Sequence, residues 1–288
     1  MAKTQHLKRR IRSVKNTMQV TRAMKMVSAA RLRRAQDRII AARPYARRMN
    51  EVLHSLAANA NREMHPLLAV RPEERIDVVV IASDRGLCGS FNGTIMKTGA
   101  AFLDRQTGKD AGVFPVGRKS REFFRKRGTK IRHEWSDVLR KLDYPVAQEI
   151  ANLLMDRFES GATDAVYVVY NEFRSAIVQK PVVERLLPIE GPDLGKVATA
   201  TGSEEHLFEP SAQQLFEALL PLHVTTQVYR ALMESAAAEH GARMTAMDSA
   251  TKNAKELIDR LTLRMNRVRQ ASITTEIIEV VSGAQALG

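Results

Sequence analysis

The sequence predicts an α/β fold: a central, Rossmann-like α/β domain whose two ends run out into long helices wound as an antiparallel, left-handed coiled coil. Three observations predict it. The first is a glycine-free N-terminal stretch, from Ala2 to about Asn61, with Pro44 as its single proline. The second is a middle region in which short apolar runs alternate with helical patterns, the arrangement of a small α/β domain. The third is a C-terminal stretch in which Met244, Met247, Thr251, Ala254, Ile258, Leu261, Met265 and Val268 recur at alternating steps of three and four. A period of 3.5 residues held over three heptads calls for a left-handed supercoil with a partner helix.

The N-terminal stretch supplies that partner. Leu7, Ile11, Val14 and Met18 open in steps of four and three, and Val20, Met24 and Val27 read as a second stripe. One or two helices of roughly 80–90 Å in total account for the segment at about 1.5 Å per residue, with Pro44 a place to kink or break. Residues 1–62 are therefore expected to be one coiled-coil helix and residues 210–288 the other. Small and polar members, Thr251 and Ala254, make the seam weaker than a leucine zipper.

Between them, residues 75–200 are expected to be globular. Asp77–Ala82 is a buried-strand run, followed by the glycine loop Ser83–Gly89 and a helical pattern from Ser90 to Arg105. Gly112–Val116 reads as a strand and Arg118–Arg127 as a helix. Pro145–Glu159 is helical, Asp164–Asn171 is a strand, and Ser175–Leu187 is extended and pairs with it as a hairpin. Residues 191–202, rich in Gly, Ala and Thr, read as a surface connection. The helical pattern resumes after Pro210 and runs from about Leu222 to Val281 with one glycine, Gly241.

Composition narrows function. The net charge is +13, but residues 1–50 hold fifteen Lys and Arg against one acid, Asp37, so the other 238 residues sum to −1. The body is neutral and one segment is strongly basic. Nucleic-acid binding fits that charge, yet Tyr45 is the only aromatic residue among the first fifty and offers no stacking platform. The lone cysteine, Cys88, excludes an intramolecular disulfide and a CxxC zinc site. The seven histidines are scattered without ligand spacing, so no metal is expected. No apolar run reaches the roughly 18–20 residues that span a bilayer.

Gly112–Ser120 comes close to a phosphate-binding loop but places Arg118 where the lysine belongs, and Pro115 has no N–H to offer. The loop Asp84, Arg85, Gly86, Leu87, Cys88, Gly89 follows a strand but lacks GxGxxG. It reads as a structural turn or as a contact surface for a neighbouring subunit. Arg85 lies close enough in sequence to lower the Cys88 pKa, but no base accompanies the thiol, which reads as structural.

Three segments resemble the gamma subunit of F-type ATP synthases. They are Arg10–Ala30 (RIRSVKNTMQVTRAMKMVSAA), the loop SDRGLCG at Ser83–Gly89, and the C-terminal pair Ala242–Asp248 (ARMTAMD) and Arg269–Ala284 (RQASITTEIIEVVSGA). They occur in the family's order and span nearly the whole chain. The resemblance implies a rotating central shaft standing inside a ring of three alpha and three beta subunits. Its head meets the epsilon subunit and the membrane c ring. Ion flow turns the c ring, and the shaft drives the catalytic ring through its conformations. No catalytic residue, cofactor or nucleotide site is carried over, because the family keeps these on alpha and beta. The implied location is peripheral, on the cytoplasmic face of the bacterial inner membrane. A cleaved organellar leader of 20–30 residues would destroy the motif beginning at Arg10, so the N-terminus is read as part of the mature chain.

With that resemblance, the candidate ring contacts are Arg9, Arg10, Arg12, Lys15, Arg22, Met24, Lys25 and Met26 on the first helix. On the last helix they are Arg267, Arg269, Gln270, Ile273, Ile277 and Val281. So many like charges weaken an isolated helix, and an acidic partner surface compensates them. Arg267, Arg269 and Gln270 suit directional bonds at preferred angles. The last nineteen residues carry no Lys or Arg and are rich in Ile and Val. They read either as a helix end docked on the protein's own head or as a tip turning in an apolar collar.

Overall fold

A computed structural model describes residues 2–59, 65–140, 142–189 and 211–285. Helix α1 spans Ala2–Asn59 and a 3-10 turn spans Pro66–Leu68. Strand β1 is Arg75–Ile81, α2 is Phe91–Asp104, β2 is Asp110–Val116 and α3 is Arg118–Lys126. Helix α4 is Tyr144–Glu159, β3 is Ala165–Phe173, β4 is Gln179–Leu187 and α5 is Ala212–Gln285. The predicted connection at residues 191–202 lies outside the described residues.

Contacts divide the chain into two units, residues 1–28 with 243–288, and residues 29–242. Both long helices contribute to each. Helix α1 continues through Pro44 as a single element. Helix α5 begins ten residues before the proline-free run from about Leu222 and contains Pro221.

The first unit is the coiled coil. Thr21 Oγ1 and Thr251 Oγ1 lie 2.8 Å apart, and Lys25 Nζ donates to Asp248 Oδ1 at 2.5 Å. Leu7 and Ile11 pack with Leu261, with Val14, Leu257, Ile258, Met265 and Val268 around them. Residue numbers rise on one helix as they fall on the other, so the pair is antiparallel. The 3.5-residue seam makes it a left-handed supercoil.

The α1 side of the seam corrects the expected second stripe. Val20 and Val27 are exposed at 58% and 53%, whereas Thr21 and Ser28 are buried. The heptad continues through Leu7, Ile11, Val14, Met18, Thr21, Lys25 and Ser28 without a break, but its last three members are polar. Two of them are satisfied across the seam, Thr21 by Thr251 and Lys25 by Asp248, and Thr21 Oγ1 also lies 3.0 Å from the Met18 carbonyl oxygen on its own helix. Asp248 is held below the usual aspartate range by hydrogen bonds from Lys25 and Lys252.

The second unit is a three-layer α/β domain. Its sheet has the order β2-β1-β3-β4, with β1 parallel to β2 and β3, and β4 antiparallel to β3. Central β1 is buried from Ile76 to Ile81, as a strand covered on both faces must be. One face, with Val79, Ile81, Phe114, Val116, Val166, Val168 and Tyr170, packs on α4 and on parts of α1 and α5. The other, with Ile76, Val78, Val80, Val113 and Val169, packs on α2 and α3. Alternate residues of each strand thus serve opposite layers.

Two ionisable groups are tied into this frame. Asp77 is 1% exposed; Arg157 Nε donates to its Oδ2 at 2.8 Å and Arg132 Nε lies 3.7 Å from Oδ1. His65 is buried and its Nδ1 accepts from Leu67 N at 3.2 Å at the start of the 3-10 turn. Burial lowers its pKa from 6.5, against the pull of Glu159 and Glu217. The unfolded chain then binds a proton at His65 that the folded chain does not, so stability is full above 6.5 and falls as pH drops below it. His65→Asn keeps an acceptor at that position. Its urea midpoint is expected to vary less between pH 7 and 5 than that of the parent; equal slopes would remove His65 from the account.

Candidate interaction surfaces

The fold brings the Ser83–Gly89 loop to the carboxyl end of β1. In a sheet of this order, the β1/β3 boundary is the switch point where α/β proteins open a ligand crevice. Here the chain fills it. Cys88 and Phe91 pack with Ala238 and Ala242 of α5, with Phe173 of β3 against them. Gly241 lets α5 lie so close to the β3–β4 turn that an added Cβ would stand 3.2 Å from the Ala176 carbonyl oxygen.

The near-miss phosphate loop is also occupied from within. The Gly117 N–H donates to Trp135 O at 2.7 Å and the Lys119 N–H to Ser83 O at 3.1 Å. The Arg118 N–H goes to Asp84 Oδ1 at 3.0 Å, and the same oxygen accepts from Asp137 N at 3.0 Å. A side-chain carboxylate therefore stands at the N-terminus of α3, where a phosphate would otherwise be held. Gly117, at φ 93°, is pressed against β1: a Cβ there would sit 2.1 Å from the Ala82 carbonyl oxygen. These amides are used structurally, which removes the basis for a nucleotide site in this loop.

The glycine loop has two sides. Ser83, Asp84 and Cys88 face inward. Ser83 Oγ donates to Arg85 O at 2.5 Å, and Asn92 Nδ2 donates to Cys88 Sγ at 3.1 Å. Cys88 is 1% exposed. Its Sγ meets the Arg85 carbonyl oxygen at 3.8 Å. Arg85, Gly86 and Leu87 face outward with Gly89. Leu87 is 64% exposed and sits at φ 63°, an apolar side chain presented by a backbone conformation that bulky residues avoid.

On the coiled coil, Arg9, Arg10, Arg12, Lys15 and Arg22 are exposed, as are Arg267, Arg269 and Gln270. Among the described residues, no ion pair occupies these eight positions' charged members, whereas Lys25 is committed to Asp248. The two methionines separate: Met24 is half-buried and Met26 is 61% exposed. Side chain orientation, unlike residue type, depends on which helix face the seam takes, and the polar seam hid that face from sequence reasoning.

The tip is distinct. The cross-seam pairs put Ala2 level with about residue 270, so α5 continues for about fifteen residues, roughly 22 Å, past the start of α1. Along this unpaired length Ile273 is 47% exposed, Ile277 57%, Ile278 58%, Val280 73% and Val281 52%. Among the described residues, nothing buries these side chains.

The described residues thus hold a pair of terminal helices with a bare apolar end and an α/β sheet whose switch-point crevice the chain fills itself. The profile of the family described as ATP synthase matches residues 3–287. The chain is 46% identical over its full length to the whole ATP synthase gamma chain of Pelotomaculum thermopropionicum. It is 50% identical, again over the full length of both, to that of Anaeromyxobacter sp. (strain Fw109-5). Among solved structures it resembles the central stalk/c-ring of the Tetrahymena thermophila mitochondrial ATP synthase, with TM-score 0.60 and 26% identity over 80% of this chain and 99% of that one. It also shares the fold of the Euglena gracilis mitochondrial ATP synthase rotor, with TM-score 0.67 and 18% identity over 94% and 99% of the two chains. The chain belongs to the ATP synthase gamma chain family.

Proposed function

We infer that this chain is the central rotary shaft of an F-type ATP synthase, coupling ion-driven rotation of the membrane c ring to the conformational cycle of a catalytic ring. The observation that carries the reading is the unpaired, apolar end of α5. Apolar contact is non-directional, so a collar around Ile273, Ile277 and Val281 holds the tip without fixing its angle. Below it, Arg267, Arg269 and Gln270 supply directional bonds that favour particular angles. The exposed Arg9, Arg10, Arg12, Lys15 and Arg22 meet acidic surfaces of the beta subunits.

In this reading the partners are three alpha and three beta subunits around one copy, the epsilon subunit and the c ring, and catalysis resides on beta. The outward loop residues Arg85, Gly86 and Leu87 form a contact with a neighbouring subunit, backed by Asp84, Cys88 and Gly89. The segments 1–62 and 210–288 act as shaft and residues 75–200 as head. No described helix is long and apolar enough to cross a membrane, so attachment runs through the complex, on the cytoplasmic face of the bacterial inner membrane.

Reconstitution with alpha and beta tests this directly: one copy should bind per three of each, and ATP hydrolysis by the ring should change on its addition. Unchanged hydrolysis would end the shaft reading. Arg269→Glu should lower ATP-driven ion pumping by the complex at least twofold while the isolated chain melts as the parent does. Parental pumping would remove Arg269 from the angle-setting role.

A further inference from the structure

A cavity of about 590 Å³ opens on the α/β unit between α1, the start of α4, the end of β3 and α5. Its walls are Ile39, Ala42 and Ala46 of α1, Tyr144 of α4, Phe173 of β3 and Met233 of α5, with Tyr45, Tyr229 and a few polar groups completing them. The volume lies within the range of small-molecule sites, about 300–1,000 Å³. The aromatic content is out of proportion to the chain: of its five tyrosines, three line this one cavity. Tyr144 and Tyr229 meet edge to face, with ring centroids 5.6 Å apart.

The lining carries two guanidiniums, Arg43 and Arg230, and one carboxylate, Glu234. Arg230 is already engaged by Glu184 at 2.6 Å and by Glu234 at 3.7 Å. Arg43 is exposed, and among the described residues no carboxylate pairs with it. Arg43 is thus a guanidinium without a carboxylate partner at the cavity wall, beside an aromatic, aliphatic interior, while Glu234 keeps one oxygen, Oε2, buried out of solvent and without a hydrogen bond.

We propose that this cavity is a binding site for a small planar aromatic anion, whose ring system enters between Tyr144, Tyr229 and Phe173 and whose acidic group is held by Arg43. None of its lining residues is among the loop and shaft contacts assigned above, and the site does not depend on the shaft reading. A guanidinium binds a sulfonate or carboxylate through paired N–H donors, which a neutral molecule cannot exploit. The largely apolar walls supply the remaining affinity by area buried.

The test uses the full chain and two dyes with the same ring system, 8-anilinonaphthalene-1-sulfonate and neutral N-phenyl-1-naphthylamine, titrated by fluorescence. The parent should show one saturable sulfonate site that binds the neutral dye at least fivefold more weakly. Ala42→Phe, which fills the cavity, should abolish that site, and Arg43→Gln should weaken it about tenfold, with both variants keeping the parental circular dichroism and melting curve. Dye held only by the exposed tip would be insensitive to both substitutions and would overturn the proposal. Equal affinity for the neutral dye, or a site that survives Arg43→Gln intact, would overturn the anionic class. Should Ala42→Phe disturb the fold, Thr226→Leu provides a second alteration of the same wall, expected to shift sulfonate affinity at least threefold; no shift in either would overturn the site.

Discussion

Gly117→Ala should cost the protein about 3–5 kcal/mol, enough to unfold many domains of this size. Two effects combine at this residue. Its backbone, at φ 93° and ψ 145°, lies in a region essentially reserved for glycine, which an alanine enters at about 1–3 kcal/mol. The added methyl would also stand 2.1 Å from the Ala82 carbonyl oxygen, and that oxygen belongs to backbone, which cannot swing aside. Relief requires β2 and the start of α3 to draw away from β1, breaking the Gly117 N–H bond to Trp135 and the Arg118 N–H bond to Asp84. Urea denaturation of the full chain should show the loss; a midpoint within error of the parent would mean that the turn has room to open.

Asp77→Ala should be the next most damaging change, at about 3 kcal/mol. Removing one partner of a buried ion pair typically costs about 3–5 kcal/mol, because the other charge is left without compensation. Arg157 and Arg132 keep 23% and 20% of their side-chain surface in contact with solvent, which places the loss at the lower end. Burial pushes the Asp77 carboxyl above the usual aspartate range in spite of both guanidiniums. The neutral isostere should therefore be tolerated better: Asp77→Asn retains an acceptor for Arg157 and should cost about half as much. If the two substitutions destabilise equally in urea, packing rather than charge governs the site.

Much of this architecture is legible in the residues. Val78, Val79 and Val80 form an uninterrupted apolar run that only a strand covered on both faces requires, and Met247, Leu261 and Met265 keep a heptad that only a supercoil requires. The hairpin of β3 and β4 follows from two β-rich runs separated by a short polar turn. What escaped reading has physical causes. Thr21, Lys25 and Ser28 occupy seam positions with polar side chains, so a search for apolar periodicity slid instead to Val20 and Val27. Pro221 precedes the proline-free run that marked the helix in the sequence, and α5 passes through it, because Phe216, Leu220 and Val224 on either side are fully buried and packing outweighs one lost backbone bond. The inward role of Asp84 was hidden as well. Its partners, the amides of residues 118 and 137, are distant in sequence and meet it only when β1 and β2 lie side by side.

The interaction surfaces were legible as composition and not as geometry. Arg9 through Arg22 announce a basic stretch, and Ile273 through Val281 an apolar one. Which members point outward depends on the helix phase, and that is set by the seam. Met24 and Met26 show the difference, two identical side chains two residues apart, one half-buried and the other exposed.

The bare end of α5 has a consequence for the life of the polypeptide before assembly. A stripe of exposed isoleucine and valine is adhesive toward any other apolar surface, including the same stripe on a second copy. An orphan chain, synthesised ahead of the subunits that sheathe it, carries that liability in proportion to its concentration. Balanced production with its sheath, or early capture by it, is thus a requirement written into the last few turns of one helix.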